Sequence, residues 1–280
     1  MKKFKVENRA IGLNVGTMYV YDFDGGVRVH AYETKDVFNS YQLLIEKNGK
    51  LVIVEPLLIK SNYEELRDYI NSIGYTEADL IVSYHNLGAT FADSDKLKIN
   101  NVYSMQSTED YVYIKGVEAN KNIKSGLGEV FDEKIWQNVI ICKEGMNNIG
   151  GIEFYMHENE YGFDIGIPEI KIMHTHFVGH DKHILVWDMN FLSYTAEDLE
   201  DYLEAGYDMF MSAHGEVETR ADVQQKIRYF YNLKSIYEDS KNGSEFKSKL
   251  TSMYPDLDWT NYLDMTASIL YHEEMVASEM

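Results

Sequence analysis

The sequence predicts an α/β sandwich, with sheets packed in the middle and helices outside. Three observations lead there. Strands, a helix and a strand are followed by a second run of strands, helix, strand and helix, which reads as two similar halves. An Asn-Gly pair sits between two apolar runs and marks a hairpin. The chain of 280 residues is 45% hydrophobic and 26% charged, an ordinary globular mix that is long enough to bury a large core.

The elements follow in order. Val27 to Tyr32 alternates in a strand-like way. Ser40 to Glu46 and Leu51 to Val54 form the hairpin around Lys47-Asn48-Gly49-Lys50, and Glu55-Pro56 ends its second strand. Ser61 and Glu64 read as a capping box for a helix carrying Leu66, Ile70 and Ile73, with Gly74 as its stop. Ala78 to Ser83 is a short buried strand running into the irregular stretch Tyr84 to Thr90. Tyr111 to Ile114 reads as a strand, Ser125 to Gly128 as a turn, and Asn147 to Gly151 as a turn before a strand from Ile152 to Met156. Ile170 to Met173 and Ile184 to Trp187 are further strands. Thr195 with Asp198 caps a helix stopped by Gly206, Met209 to Ser212 is a strand, and Thr219 with Asp222 caps another helix. The last 40 residues read as helical. Three prolines and no Gly/Ser-rich linker announce no boundary, so residues 1–240 are expected to form one domain and 241–280 a helical extension packed on it.

Composition narrows the partners. The formal charge of −20 disfavours nucleic acid, whose affinity comes largely from Lys and Arg, and an anionic membrane surface. A small-molecule substrate or ligand is the expected partner. The 22 tyrosines, with Tyr229, Phe230 and Tyr231 together in one helix, suit either core packing or a ligand-friendly or homo-oligomeric surface. The single cysteine, Cys142, excludes an internal disulfide and follows Val139-Ile140-Ile141, which reads as a packed core thiol. Met1 to Lys5 has a positive flank without an apolar stretch behind it, and no segment has the length and hydrophobicity of a membrane span, so the expected location is the cytoplasm.

Histidine is the informative residue. Of nine, four lie in His174-Thr175-His176-Phe177-Val178-Gly179-His180-Asp181-Lys182-His183. Asp188 and His214-Gly215 end later apolar runs. Imidazole and carboxylate at strand ends suit a Zn²⁺ or iron site, whereas any one of these histidines taken singly reads first as a solvated loop or turn residue.

Across residues 27 to 240 the chain resembles the metallo-β-lactamase fold, and with it an αββα sandwich. The resemblance rests on Asn39-Ser40-Tyr41 before the hairpin, Leu51 to Glu55 where that family has a strand ending in Asp, and the helix after it. It continues through Ser83 at the first metal loop, Val178-Gly179-His180, Asp188, and Ser212-Ala213-His214-Gly215. The family's first motif, Thr-His-x-His-x-Asp-His, is here Ser83-Tyr84-His85-Asn86-Leu87-Gly88-Ala89, so Tyr84, Asn86, Gly88 and Ala89 replace its four ligands. What the resemblance leaves is a depleted site of at most one metal on His180, Asp188 and His214, with His176 or His174 as alternatives to His180. Asp188 and His85 would then be the catalytic pair, and Tyr84 and Asn86 could line a polar pocket.

Two functions follow as expectations. One is a metal-dependent hydrolase of an ester, lactone or thioester, using one divalent ion (zinc, or iron or manganese). The other is a catalytically inactive member of the fold, with no metal, that binds a ligand or a protein.

Overall fold

A computed structural model of the chain describes residues 7–36, 39–84, 95–111, 116–131, 136, 138–159, 162–176 and 179–272. It divides into two compact units, Met1–His176 with Ala213–Gly215, and Phe177–Ser212 with Glu216–Met280. The α/β class read from the sequence is the one observed.

The first unit holds an eight-stranded sheet in sequence order: β1 (Glu7–Gly12), β2 (Thr17–Asp22), β3 (Arg28–Glu33), β4 (Tyr41–Lys47), β5 (Lys50–Val54), β6 (Glu77–Ile81), β7 (Lys98–Ser104) and β8 (Ile140–Ile141). β1 to β5 pair antiparallel, and β5 to β8 pair parallel. The β4–β5 turn is the expected one: Asn48 (φ 51°) and Gly49 (φ 73°) both adopt the left-handed conformation that such a hairpin needs. Residues of β4 and β5 are buried on both faces. Leu44 and Ile53 pack with Leu66 and Ile70 of α1 (Lys60–Ser72), whereas Leu43, Ile45, Val52 and Val54 point the other way by strand alternation. A second, antiparallel group contains β9 (Gly145–Ile149), β10 (Ile152–Asn159), β11 (Gly162–Ile167) and β12 (Ile172–Thr175). The β9–β10 turn approaches the first sheet so closely that a Cβ on Gly150 would lie 3.0 Å from Val52 Cγ2.

The second unit contains α4 (Met189–Glu204), the hairpin of β13 (Met209–Ser212) and β14 (Glu218–Thr219), α5 (Arg220–Glu238), α6 (Gly243–Met253) and α7 (Thr260–Leu270). Residue 240 lies in the turn between α5 and α6. The expected capping box of α5 is present: the Thr219 side chain accepts from the Asp222 backbone and Asp222 returns a bond to the Thr219 backbone.

Several local readings are corrected. α1 begins at Lys60, after Ile59 whose side chain makes no cap, so Ser61 and Glu64 lie inside the helix. Tyr111 ends helix α2 (Gln106–Tyr111) instead of opening a strand, and residues 112–115 lie outside the described residues. Ser125 to Leu127 belong to α3 (Val117–Leu127), with the turn confined to Gly128 at φ 65°. Ile184 to Trp187 is not a strand: Thr266 Oγ1 of α7 donates to the Ile184 carbonyl (3.1 Å) and accepts from the Val186 N–H (3.0 Å), so a side chain takes the backbone bonds a ladder would have supplied. Asp188, not Thr195, caps α4, and the Thr195 hydroxyl bonds back to the Phe191 carbonyl. Ile140 and Ile141 are exposed and Cys142 is half-buried, because β8 is the sheet's last strand; burial still pushes the thiol up to about 11.

Candidate functional site

In the first unit the carboxyl ends of β5 and β6 point to the same sheet edge, the usual place for a ligand in a parallel sheet. A cleft of about 80 Å³ opens there, lined by Gln42, Glu55, Leu57, Tyr84, His176 and His214 among others.

Glu55 is the electrostatic centre of this edge. It follows β5 in the left-handed region (φ 71°), a conformation that disfavours a side chain and is held by its surroundings. Its N–H donates to the Ile81 carbonyl (2.8 Å) and its carbonyl accepts from Gln42 Nε2. Its Oε1 accepts from the Ser83 N–H (2.7 Å), the Tyr84 N–H (3.1 Å) and the Ser83 hydroxyl. Burial nevertheless outweighs these donors and raises the carboxyl to about 7. None of the three bonds reaches Oε2. Ser83 is fixed from behind, its carbonyl accepting from Phe163 N (3.0 Å) and Thr108 Oγ1 (3.0 Å). That closeness requires glycine at 162, where a Cβ would collide with the Ser83 carbonyl oxygen.

Three rings also line the cleft. Tyr84 stacks on His176 with centroids 3.9 Å apart and 7° between planes, and His176 meets His214 edge-on at 4.8 Å. His214 is held by its neighbour Ala213, whose carbonyl accepts from Tyr41 N (2.8 Å). Two residues before His176, His174 is buried, and neither of its ring nitrogens has a hydrogen-bond partner among the described residues. Burial, and secondarily the charge of His214, lower it to about 4, so it is neutral at pH 7. The buried Oε1 of Gln42 likewise has no partner among the described residues.

His180 and Asp188 belong to the second unit and His214 to the first. The His180 Nδ1 donates to Glu218 Oε1 (2.7 Å), and its backbone N–H reaches the same oxygen (2.5 Å). Asp188 spends Oδ1 on the N-terminus of α4, accepting from Asn190 N (2.8 Å) and Phe191 N (2.9 Å). His85 and Asn86 lie outside the described residues. Glu218 escaped the sequence reading because an acidic residue four positions after His214 carries no signal of its own. Glu55 had one, the position at which the family ends a strand in Asp.

A metal would need three donors converging on one point. In the cleft the rings of His176 and His214 come together, but no third His, Cys, Asp or Glu among the described residues, Glu55 included, brings a ligand atom close enough to complete a group of three, so they do not fit an ion. Among the described residues the one group that meets this geometry is His180, Asp181 and Glu218.

No family model matches the chain, and no curated protein matches it. Solved structures do. A β-lactamase domain protein from Burkholderia ambifaria is 12% identical with TM-score 0.62, over 90% of this chain and 86% of that one. A metallo-β-lactamase from Erythrobacter litoralis is 12% identical with TM-score 0.56, over 80% of this chain and 100% of its own. The sec-alkylsulfatase Pisa1 from Pseudomonas sp. is 13% identical with TM-score 0.61, over 88% of this chain and 49% of that protein.

Proposed function

We propose that this chain, which has the metallo-β-lactamase fold, is a hydrolase of small acyl compounds (esters, lactones or thioesters) that works by acid–base chemistry at Glu55. What carries the reading is a half-buried carboxyl raised to about 7, held by three donors on one oxygen, in a cleft walled by two imidazoles.

In this reading Glu55 Oε2 takes the proton of a water as its oxygen attacks the acyl carbon. The carbonyl oxygen becomes an oxyanion, stabilised by a ring N–H of His176 or His214. The C–O or C–S bond then breaks, and the protonated Glu55 returns its proton to the leaving oxygen or sulfur. The buried Gln42 Oε1 is placed to accept one hydrogen bond from the substrate. At about 80 Å³ the cleft is smaller than the roughly 300–1,000 Å³ of drug-sized sites, which favours entry of a short acyl group alone. No step runs through a metal, because the described cleft residues do not supply a donor set for one.

The test is hydrolysis of p-nitrophenyl acetate, a simple lactone and an acyl thioester by the full chain, with and without chelator. Chelator-resistant turnover that Glu55→Gln lowers by about 10²-fold or more is expected. Equal rates for wild type and Glu55→Gln, or turnover abolished by chelator, would overturn the reading. The stack of Tyr84 on His176 favours a second reading, a non-catalytic site that binds a small ligand. That reading predicts thermal stabilisation by a small carbonyl compound without turnover.

A further inference from the structure

We propose that the second unit carries a divalent metal site of its own, built from His180, Asp181 and Glu218. One ligand atom from each of the three lies within 4.8 Å of the others. One imidazole and two carboxylates are an intermediate-to-hard donor set, suited to zinc or manganese, with a water completing the coordination.

The buried carboxylate is the independent observation. Glu218 is 3% exposed, and its Oε2 has no hydrogen-bond partner among the described residues. A carboxylate oxygen held away from water without a donor is costly unless a cation completes it. The buried Lys226 acts on Glu218 through its charge without a hydrogen bond to Oε2: its Nζ donates to the Lys182 carbonyl (2.6 Å) and sits 4.5 Å over the Tyr229 ring. Lys182 in turn lies 3.8 Å from Asp181 and over the Trp259 ring (4.8 Å).

The donors are held by backbone. The Asp181–His183 segment is tied twice to Asp258, by His183 N to the Asp258 carbonyl (2.9 Å) and Asp258 N to the Asp181 carbonyl (2.9 Å). Glu218 is the β14 residue paired with Phe210, directly before the capping box of α5. Asp181 is exposed and Glu218 buried, so the cluster is open on one side, which gives an ion its way in. Asp222 Oδ1 lies 3.9 Å from His180 Nε2, beyond hydrogen-bond length, and adds a negative charge beside the imidazole.

The full chain, freed of metal with chelator, is titrated with Zn²⁺ by calorimetry, and its melting temperature is followed with and without the ion. One ion per chain, saturating below about 100 µM and raising the melting temperature, is expected. Glu218→Gln keeps the hydrogen bonds from His180, and Asp181→Asn changes an exposed side chain, so both fold. Each should weaken Zn²⁺ at least about tenfold. The double substitution His176→Asn with His214→Asn should leave binding within about twofold, since those residues are not ligands here. No saturation below about 100 µM, affinity unchanged in either single variant, or binding lost in the double variant would overturn the proposal.

Discussion

Tyr84 lies flat on His176, with ring centroids 3.9 Å apart and planes 7° from parallel. Tyr84 is buried, so the stack is part of the wall and not a surface contact. Tyr84→Ala should therefore lower stability by about 3–5 kcal/mol, the usual loss for truncating a buried aromatic ring. Tyr84→Phe, which keeps the ring, should fall within about 1 kcal/mol of wild type. Urea unfolding measures both, and a Phe variant as damaged as the Ala variant would show that the hydroxyl, not the stack, matters.

Glu55 predicts a pH dependence whose sign can be worked out. Its carboxyl is raised from 4.5 to about 7 in the folded chain, so the unfolded state ionises first. The contribution to stability is full below about 4.5 and is lost as pH rises toward 7, an effect of up to roughly 3 kcal/mol. Glu55→Gln, which cannot ionise, should gain stability relative to wild type at pH 8 and little at pH 4. Chemical denaturation at the two values checks it. A difference that did not change with pH would mean that Glu55 ionises normally in the folded chain.

Acid should act through buried imidazoles. His30, His174 and His183 are each lowered to about 4, in every case chiefly by burial. Their contribution is intact above about 6.5 and is lost as pH falls from there toward 4, because the unfolded state takes up the protons first. His174→Met removes a ring whose nitrogens find no hydrogen-bond partner among the described residues. The variant should resist acid better than wild type between pH 6.5 and 4, by up to about 3 kcal/mol at the lower end, measured as the midpoint of acid unfolding.

Thr266 serves two backbone groups at once, the Ile184 carbonyl and the Val186 N–H. Thr266→Val keeps the shape and strands both in the interior. A loss of about 2–4 kcal/mol is expected, with faster hydrogen exchange at Val186; exchange unchanged there would mean another partner had replaced the hydroxyl.

Gly162→Ala should be among the most damaging small substitutions in the first unit, since the new methyl meets the Ser83 carbonyl oxygen, a backbone atom already bonded to Phe163 and Thr108. A loss of more than about 2 kcal/mol is expected, together with altered chemistry at Glu55, because the peptide that must move carries its hydrogen-bond donors. A normal melting temperature in this variant would show that β6 and β11 separate easily at this point.

Much of this protein was written locally. The Asn48-Gly49 hairpin, the Gly74 and Gly206 helix stops and the Thr219–Asp222 capping box are each decided by a few neighbouring residues, and all are present as read. The order of strands and helices gave the α/β class for the same reason, since period and turn chemistry act over short spans. Tertiary structure decided the rest. Ile184 to Trp187 has strand-like residues, yet its backbone bonds go to a threonine about 80 residues away, which no local pattern contains. The site was legible only in part. His176, His180 and His214 stood out by type and Glu55 by its place at a strand end, but Glu218 is an ordinary acidic residue in sequence, and nothing local marks either carboxyl as unusual. Desolvation and the geometry of their donors give them their character, and those forces exist only once distant segments of the chain are brought together.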